Sequence, residues 1–173
     1  MKIVLIGYRA TGKSTVGRLL AEKLGLEFLD LDEEIEARAG KSIAEIVAEG
    51  GWETFRKLER ELLREMAQRE GLVLALGGGA VMHEEEMEAL SRGSFVVWLT
   101  ASPETISWRL SADQKTASQR PSLTGKDVLA EIEEILEART PLYRRFAHLT
   151  CPTEGKSPEE TVSEIISALP SSS

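Results

Sequence analysis

The stretch GYRATGKST, Gly7 to Thr15, decides the fold of this 173-residue chain. Its first eight residues fit the pattern G-x-x-x-x-G-K-[ST], in which backbone N–H groups converge on phosphate oxygens. Glycine at positions 7 and 12 keeps side chains out of that approach. Lys13 is expected to bridge the β- and γ-phosphates of ATP, and Ser14 to hold Mg²⁺. An ordinary glycine-containing turn is the weaker alternative, because a strand and a helix are predicted on its two sides.

The patterns on both sides of this stretch predict regular elements. Ile3 to Ile6 is a continuous apolar run, typical of a buried parallel strand. Apolar residues then recur with helical spacing, and Gly25 is placed to end that helix. Further strands are predicted at 27–31, 72–76, 95–99 and 148–151. Further helices are predicted at 32–39, from a capping box at Ser42 and Glu45, and at 52–69, 103 onward, 127–139 and 158–169. This alternation predicts an α/β fold, a three-layer open parallel sheet with helices on both faces and ligands at the carboxyl ends of the strands.

The composition limits the partners of the chain. Its net charge of −8 would repel nucleic acid, whereas a small anion would respond to a local Arg/Lys cluster. Cys151 is the single cysteine, which excludes an intramolecular disulfide and fits a reducing compartment. The N-terminal apolar run is too short for a signal peptide or a membrane span. We therefore expect a cytoplasmic monomer with one domain at 1–170, a disordered tail at 171–173, and no nucleic-acid or membrane partner.

Two carboxylates follow the second predicted strand. Asp30 and Asp32 lie two residues apart at its end, so they are expected to project on one face. One could place Mg²⁺ through water while the other receives the proton of an acceptor hydroxyl. Taken alone, Asp32 is better explained as the cap of helix 32–39.

Three glycines, Gly77 to Gly79, follow the third predicted strand. Because they give up conformational entropy and packing, they favour close backbone approach to a ligand over a flexible turn. Arg56 and Arg139 are candidate partners for an anion. Taken singly, Arg56 is a solvated helix charge, and Arg139 is a cation favoured by the dipole at the end of helix 127–139.

Six markers occur in order: GYRATGKST at 7–15, FLDLD at 28–32, GWETFR at 51–56, GGG at 77–79, QRPSLTGK at 119–126 and RTPLYRRFA at 139–147. With them the chain resembles the shikimate kinases, P-loop proteins of the nucleoside-monophosphate-kinase-like group, from Lys2 to about Leu169. The resemblance implies Mg²⁺-dependent transfer of the ATP γ-phosphoryl group to the 3-hydroxyl of shikimate, in aromatic amino-acid biosynthesis.

The resemblance also implies the roles of individual residues. Catalysis falls to Lys13, Asp32 as the base, and Arg120. ATP binding falls to Ala10, Thr11, Gly12, Lys13, Ser14, Thr15, Arg109, Arg120, Lys156 and Pro158. Shikimate binding falls to Asp32, Gly77, Gly78, Gly79, and to Arg56 and Arg139, which would pair with its carboxylate. Ser14 would hold Mg²⁺ directly and Asp30 would hold it through water.

Two segments are expected to move, at about 32–60 around the acceptor and at 111–126 as a lid. Residues 111–126 are polar and unpatterned, and are too long for an ordinary connection. A lid that closes over both substrates would keep water from taking the phosphoryl group. One departure from the family stands inside the phosphate loop, where Ala10 replaces a frequent glycine. We expect binding to survive it, with a tightened or slightly shifted loop.

Two other functions remain open from the sequence. The first is another small-molecule kinase of the same fold, acting on gluconate or a nucleoside monophosphate. The two arginines and the triple glycine argue against it, since a nucleotide acceptor would not need two carboxylate clamps there. The second is a non-catalytic nucleotide-binding regulator. Lys13, Ser14 and the two aspartates argue against that, because a binding module could lose the carboxylates.

Overall fold

The structure, a computed structural model, describes residues 1–112 and 128–170. Within them lies a five-stranded sheet of order β2-β3-β1-β4-β5, and every pairing in it is parallel. The strands are β1 Lys2–Ile6, β2 Glu27–Asp30, β3 Leu72–Ala75, β4 Phe95–Thr100 and β5 Leu149–Pro152. The predicted parallel α/β sheet is confirmed.

The helices alternate with the strands along the chain. They are α1 Lys13–Leu24, α2 Leu31–Ala39, α3 Ile43–Ala67, α4 Glu84–Arg92, α5 Pro103–Ala112, α6 Val128–Phe146 and α7 Pro158–Ala168, with a 3₁₀ turn at Ala80–Met82. Their ends follow the sequence signals: Gly25 caps α1 in the left-handed region, and Ser42 and Ser157 open capping boxes at α3 and α7. Within the described ranges, no helix combines the length and apolar content needed to cross a membrane.

Two helix boundaries differ from the prediction. The helix predicted from the capping box at Ser42 and Glu45 and the helix predicted at 52–69 form one element, α3, which kinks at Gly51, where glycine adopts a φ of 77° at no steric cost. Helix α6 continues through Pro141 to Phe146, so Arg139 lies within it and not at its end. Burial of Tyr143 and Phe146 in the core favours this last stretch of helix, and tertiary packing thereby overrides the helix-breaking tendency of proline.

Alternate residues of the strands fill two cores, one on each face of the sheet. On one face Val4 and Ile6 pack with side chains of α2, α3, α4 and α6. On the other face Ile3 and Leu5 pack with side chains of α1 and α7. This alternation follows from the two-residue period of a strand, and burial on both faces explains why residues 3–6 of β1 and all of β3 are apolar.

The register of the strands gathers the candidate site residues at one edge. Asp30 in β2 pairs with Ala75 in β3, and Leu5 in β1 pairs with the same Ala75. The segments that leave these three strands are therefore neighbours: the start of α2, the triple glycine and the phosphate loop. Parallel strands bring their carboxyl ends to the same edge, which is why three distant stretches of sequence meet there.

At the opposite edge, Lys2 ties β1 to the end of α3. Its side chain is buried, and its Nζ donates to the carbonyl oxygens of Met66, Ala67 and Arg69 at 3.2, 3.1 and 2.9 Å. Burial lowers the pKa of Lys2, and the nearby Glu70 carboxylate opposes that shift in part. The ammonium thus satisfies carbonyls that the helix itself cannot.

Replacing Lys2 with methionine is expected to lower the free energy of unfolding by about 2–3 kcal/mol, because the buried carbonyls lose a charged donor. Urea denaturation would measure the change. The control is Lys23→Met at the exposed last turn of α1, with an expected effect below about 0.5 kcal/mol. Equal effects of the two substitutions would contradict a capping role for Lys2.

Candidate active site

The phosphate loop leaves β1 and enters α1 through two glycines with positive φ, Gly7 at 141° and Gly12 at 94°. A Cβ at position 7 would lie 2.4 Å from the carbonyl oxygen of Leu99, so glycine is required there by space as well as by conformation. The Nζ of Lys13 donates to the carbonyl oxygens of Gly7 and Tyr8 at 2.6 and 2.7 Å. The lysine ammonium is therefore held against the loop backbone at the N-terminus of α1, where anions are favoured.

Ala10 adopts a left-handed conformation, with a φ of 63°. Among the described residues it is the one non-glycine residue with positive φ. Its carbonyl oxygen accepts a hydrogen bond of 3.0 Å from Nη1 of Arg109 in α5. A β-carbon in this region costs free energy, so the loop is strained at Ala10.

A cavity of about 330 Å³ lies beside the loop. Seven of the residues predicted to bind ATP line it, namely Ala10, Thr11, Gly12, Thr15, Arg109, Lys156 and Pro158. The lining also includes Val16, Thr153 and Thr161, which sequence reasoning missed. Thr161 could have been found from its place one helical turn after Pro158. Lys156 pairs with Glu164 at 2.7 Å, which raises the pKa of the lysine and keeps it charged.

Ser14 and Asp30 lie together on another side of the loop. The Ser14 hydroxyl donates to Oδ2 of Asp30 at 2.5 Å, and Oδ1 of Asp30 accepts from the backbone N–H of Glu33 at 3.1 Å. These two oxygen donors suit Mg²⁺, which usually takes one or two protein oxygens together with water and substrate phosphates. The described residues hold no cluster of three or more His, Cys, Asp or Glu side chains that would bind a metal without such help.

The sequence predicted that Asp30 and Asp32 lie on one face of a strand, and the structure does not show this. Strand β2 ends at Asp30 and α2 begins at Leu31, so Asp32 lies in the first helical turn and the alternation of a strand no longer applies. The helix cap is also Asp30 and not Asp32. Asp30 therefore serves α2 and Ser14 at once, whereas Asp32 is not used as the cap.

The triple glycine brings the two predicted arginines to the same place. Gly77 accepts the N–H of Ala80 and opens the 3₁₀ turn. A Cβ on Gly79 would lie 2.5 Å from Nη2 of Arg56, and a Cβ on Gly78 would lie 3.4 Å from Nη1 of Arg139. Two guanidinium groups from distant helices thus lie against consecutive glycines.

Gly78 also lies beside the phosphate loop. A Cβ there would lie 3.5 Å from the backbone nitrogen of Arg9 and 3.6 Å from the carbonyl oxygen of Gly7. Its own carbonyl oxygen accepts a hydrogen bond of 2.5 Å from the hydroxyl of buried Tyr143, which sequence reasoning missed. The glycine backbone is therefore the junction between the loop and the arginines.

Arg56 is held by groups that the sequence did not reveal. Its Nη1 donates to Oε1 of Glu59 at 2.7 Å, and the same oxygen lies 2.9 Å from Nε2 of His83. The Arg56 guanidinium also lies over the rings of Trp52 and Phe55, at 5.5 and 5.3 Å from their centroids. Glu59 could have been suspected from its place three residues after Arg56, but the sequence separation of His83 hides it.

Glu59 is fully buried, yet it remains ionised. Burial raises the pKa of its carboxyl group, but the hydrogen bond from His83 and the adjacent Arg56 charge together outweigh burial and hold the pKa below its usual value. A charged acceptor at this depth requires donors, which explains why two side chains converge on it.

Arg120 and most of the expected lid at 111–126 lie outside the described residues. Apart from Asp32, in the first turn of α2, the other predicted residues form two groups. One is the phosphate loop with its cavity and the Ser14–Asp30 pair. The other is a cationic pocket wall made by Arg56 and Arg139 against the glycines. Phosphate, a hard divalent cation and a small carboxylate are the ligands that such an arrangement can bind.

Comparison with known proteins gives a consistent result. A family model described as "SKI: Shikimate kinase" matches residues 9–170. The chain is 42% identical to a shikimate kinase from Rhodopirellula baltica, over 98% of this chain and 91% of that protein. It is 43% identical to a shikimate kinase from Symbiobacterium thermophilum, over 98% of this chain and 96% of that protein.

A solved structure agrees with these relatives. The shikimate kinase from Acinetobacter baumannii in complex with shikimate matches with a TM-score of 0.88 and 38% identity, over 95% of this chain and 90% of that chain. The similarity therefore extends through the whole architecture of sheet, phosphate loop and helices.

Replacing Ala10 with glycine is expected to raise the free energy of unfolding by about 0.5–1 kcal/mol. Relief of the left-handed strain, ~1–2 kcal/mol, exceeds the entropy that glycine adds to the unfolded chain, ~0.4–1 kcal/mol. Urea denaturation without nucleotide would measure it. Ala37→Gly, at an exposed position inside α2, is the control and is expected to be destabilising by about 0.5–1 kcal/mol. Destabilisation by both substitutions would show that position 10 is not strained.

Proposed function

The chain belongs to the shikimate kinase family, and from that premise we propose how its residues divide the work of phosphoryl transfer. The chain is an ATP-dependent phosphotransferase that acts on shikimate. In our proposal the phosphate loop and its cavity bind ATP, and the arginine–glycine group binds the acceptor. The observation that carries this division is the place of Gly78, where an added Cβ would meet both the loop backbone and Arg139. Donor and acceptor would therefore meet at one backbone segment.

On the acceptor side, we propose that Arg56 and Arg139 bind the carboxylate of shikimate. A guanidinium presents paired N–H groups that match a carboxylate, and two of them orient the ring as well as hold it. The backbone of Gly77 to Gly79 would pack against the ring, since the glycines leave room beside both arginines. This local positive charge explains how a chain of net charge −8 binds an anionic substrate.

On the nucleotide side, we propose that the loop amides of residues 10–15 and Lys13 hold the ATP phosphates, while Arg109, Lys156 and Pro158 surround the adenosine end of the cavity. Ser14, with Asp30 through water, would hold Mg²⁺. Bound there, the ion would neutralise charge that develops on the phosphate oxygens. The hydrogen bond of 2.5 Å from Ser14 to Asp30 supports this choice, because it places the two oxygens next to each other.

Asp32 is the proposed base. The 3-hydroxyl oxygen of shikimate would form a bond to the γ-phosphorus, and its proton would pass to the Asp32 carboxylate. The bond from the γ-phosphorus to the bridging oxygen would break, and ADP would leave with that electron pair. Lys13 and Arg120 would stabilise the charge on the transferred group. The cap of α2 is Asp30, so the proposed role of Asp32 does not conflict with capping of that helix.

We further propose that a single domain at 1–170 acts as a cytoplasmic monomer, with closure of segment 32–60 on the acceptor and of a lid at 111–126 on ATP. The kink at Gly51 supports movement of the first segment, since it divides α3 ahead of Arg56. Closure would exclude water from the γ-phosphate.

A coupled assay of ADP release with shikimate, gluconate and AMP as separate acceptors tests the proposed function. We expect turnover with shikimate alone. Family membership decides between this acceptor and the alternatives that the sequence left open. Turnover that did not depend on shikimate would contradict the proposal.

Replacing Asp32 with asparagine is expected to lower kcat by about 10²–10⁴-fold, because an amide cannot accept the hydroxyl proton. ADP affinity, measured by calorimetry, is expected to stay within about twofold of the unmodified protein. Glu33→Gln removes the same charge from the next, exposed position of α2 and serves as the control. Parallel loss of nucleotide binding, or an equal loss in the control, would refute the assignment.

Replacing Gly79 with alanine is expected to raise the KM for shikimate by about tenfold, because the new Cβ would displace Arg56. The φ of −95° at this position accepts alanine, and the displaced atoms end a flexible side chain, so folding should survive. Gly93→Ala is the matched control, because a Cβ there meets only Glu70 at 3.8 Å. Initial rates over a range of shikimate concentrations measure the effect. An unchanged KM at position 79 would refute the placement of Arg56.

A further inference from the structure

His83 has no role in the proposed reaction, yet one oxygen atom, Oε1 of Glu59, links it to Arg56. Its Nε2 is 2.9 Å from Oε1 of Glu59, and Nη1 of Arg56 donates to the same oxygen at 2.7 Å. The Glu59 side chain is fully buried and that of His83 is 7% exposed. We propose that His83 is a positioning residue for shikimate, which acts through Glu59 to orient the Arg56 guanidinium. The inference rests on the proposed role of Arg56 as a ligand of the shikimate carboxylate.

The charge of Glu59 determines which group donates. An ionised carboxylate only accepts hydrogen bonds. Nε2 of His83 therefore carries a hydrogen and donates a hydrogen bond to Oε1. The torsion that turns a glutamate carboxylate is broad, and one donor alone leaves the carboxylate free to rotate. Two donors on the same oxygen remove that freedom. The orientation of the carboxylate then sets the direction in which Arg56 presents its remaining N–H groups.

The backbone holds the histidine firmly. The N–H of His83 donates to the carbonyl oxygen of Ala80 at 3.1 Å, and its own carbonyl oxygen accepts from Met87 at 2.9 Å. These bonds place His83 between the 3₁₀ turn and α4, four residues after Gly79. Gly79 packs against Arg56 directly, and His83 reaches Arg56 through Glu59. The turn after β3 therefore positions the same guanidinium in two ways.

The position of His83 is not explained by helix capping. It is the N-cap residue of α4, but its side chain makes no capping hydrogen bond. Serine, threonine, aspartate or asparagine is favoured at such a position, because their side chains satisfy the first free N–H groups of the helix. The imidazole instead points to Glu59. The hydrogen bond to the buried Glu59 carboxylate therefore explains the presence of histidine at position 83 better than helix capping does.

A nearby ion pair offers a matched control. Glu86 of α4 is also buried, and it pairs with Arg60 and Arg64 of α3 at 3.6 and 3.3 Å. It joins the same two helices as the His83–Glu59 bond does, but no contact of it with Arg56 is among those the structure describes. Loss of the Glu86 pair therefore reports what a purely structural fault between α3 and α4 would do to the kinetics.

The test measures kcat and KM for His83→Ala, His83→Gln and Glu86→Gln. The alanine variant is expected to raise the KM for shikimate about tenfold, the effect of losing one charge-assisted hydrogen bond, with kcat and the KM for ATP within about twofold. Glutamine, whose amide nitrogen reaches the place of Nε2, is expected to restore the KM to within about threefold. The Glu86→Gln variant should leave the KM for shikimate unchanged.

A second acceptor separates positioning from general damage. With an analogue of shikimate whose carboxylate is replaced by a carboxamide, His83→Ala should have little effect, because the aligned arginine no longer meets a charge. An equal loss on both acceptors, or no rescue by glutamine, would overturn the inference. Should the alanine variant fold poorly, His83→Met fills a similar volume without a donor and replaces it.

Arg56→Ala is measured beside these variants. If it loses the preference for shikimate over the carboxamide while His83→Ala keeps it, the inference about His83 fails and the proposed function stands. If Arg56→Ala also keeps the preference, the proposed role of Arg56 fails. The two failures are therefore distinguishable in one series of measurements.

Discussion

The close approach of backbone to backbone and of guanidinium to backbone at the ends of β1 and β3 is the constraint on which the site depends. A Cβ at position 7 would collide with the carbonyl of Leu99, and one at position 79 would collide with Arg56. Gly78 lies between the phosphate loop and Arg139, and a Cβ there would make ordinary van der Waals contacts with both. Because three strands end at this edge, the absence of side chains from the glycines lets the phosphate loop and the two arginines lie close to one another.

Electrostatic balance inside the protein follows from the same packing. A largely buried cation needs a partner, and Arg56 is compensated by buried Glu59. Glu59 in turn receives a second donor from His83, so its charge is stable even without solvent. At the other edge, Lys2 is compensated by helix carbonyls instead of by a carboxylate. In each case a buried charge joins elements that are distant in sequence.

Sequence patterns predicted most of the architecture correctly and failed where packing decided. The strand, loop and cap signals were local, and the parallel sheet follows from them. The expected end of a helix at Arg139 was wrong, because burial of Tyr143 and Phe146 favours α6 beyond Pro141. The expected strand geometry of Asp30 and Asp32 was wrong too, because the chain turns into α2 between them. Local periodicity cannot show where a strand gives way to a helix within one residue.

The sequence by itself determined the fold class, the phosphate loop and the family, because a motif of fixed spacing needs no knowledge of distant contacts. The resemblance of the chain to the family also identified both arginines as candidate ligands of a carboxylate. Only the tertiary structure decided that these arginines meet consecutive glycines, that Asp30 is the residue shared by Ser14 and α2, and that His83 and Glu59 stand behind Arg56. Hydrogen bonds between residues far apart in the chain leave no periodic signal, since they depend on how the helices pack on the sheet.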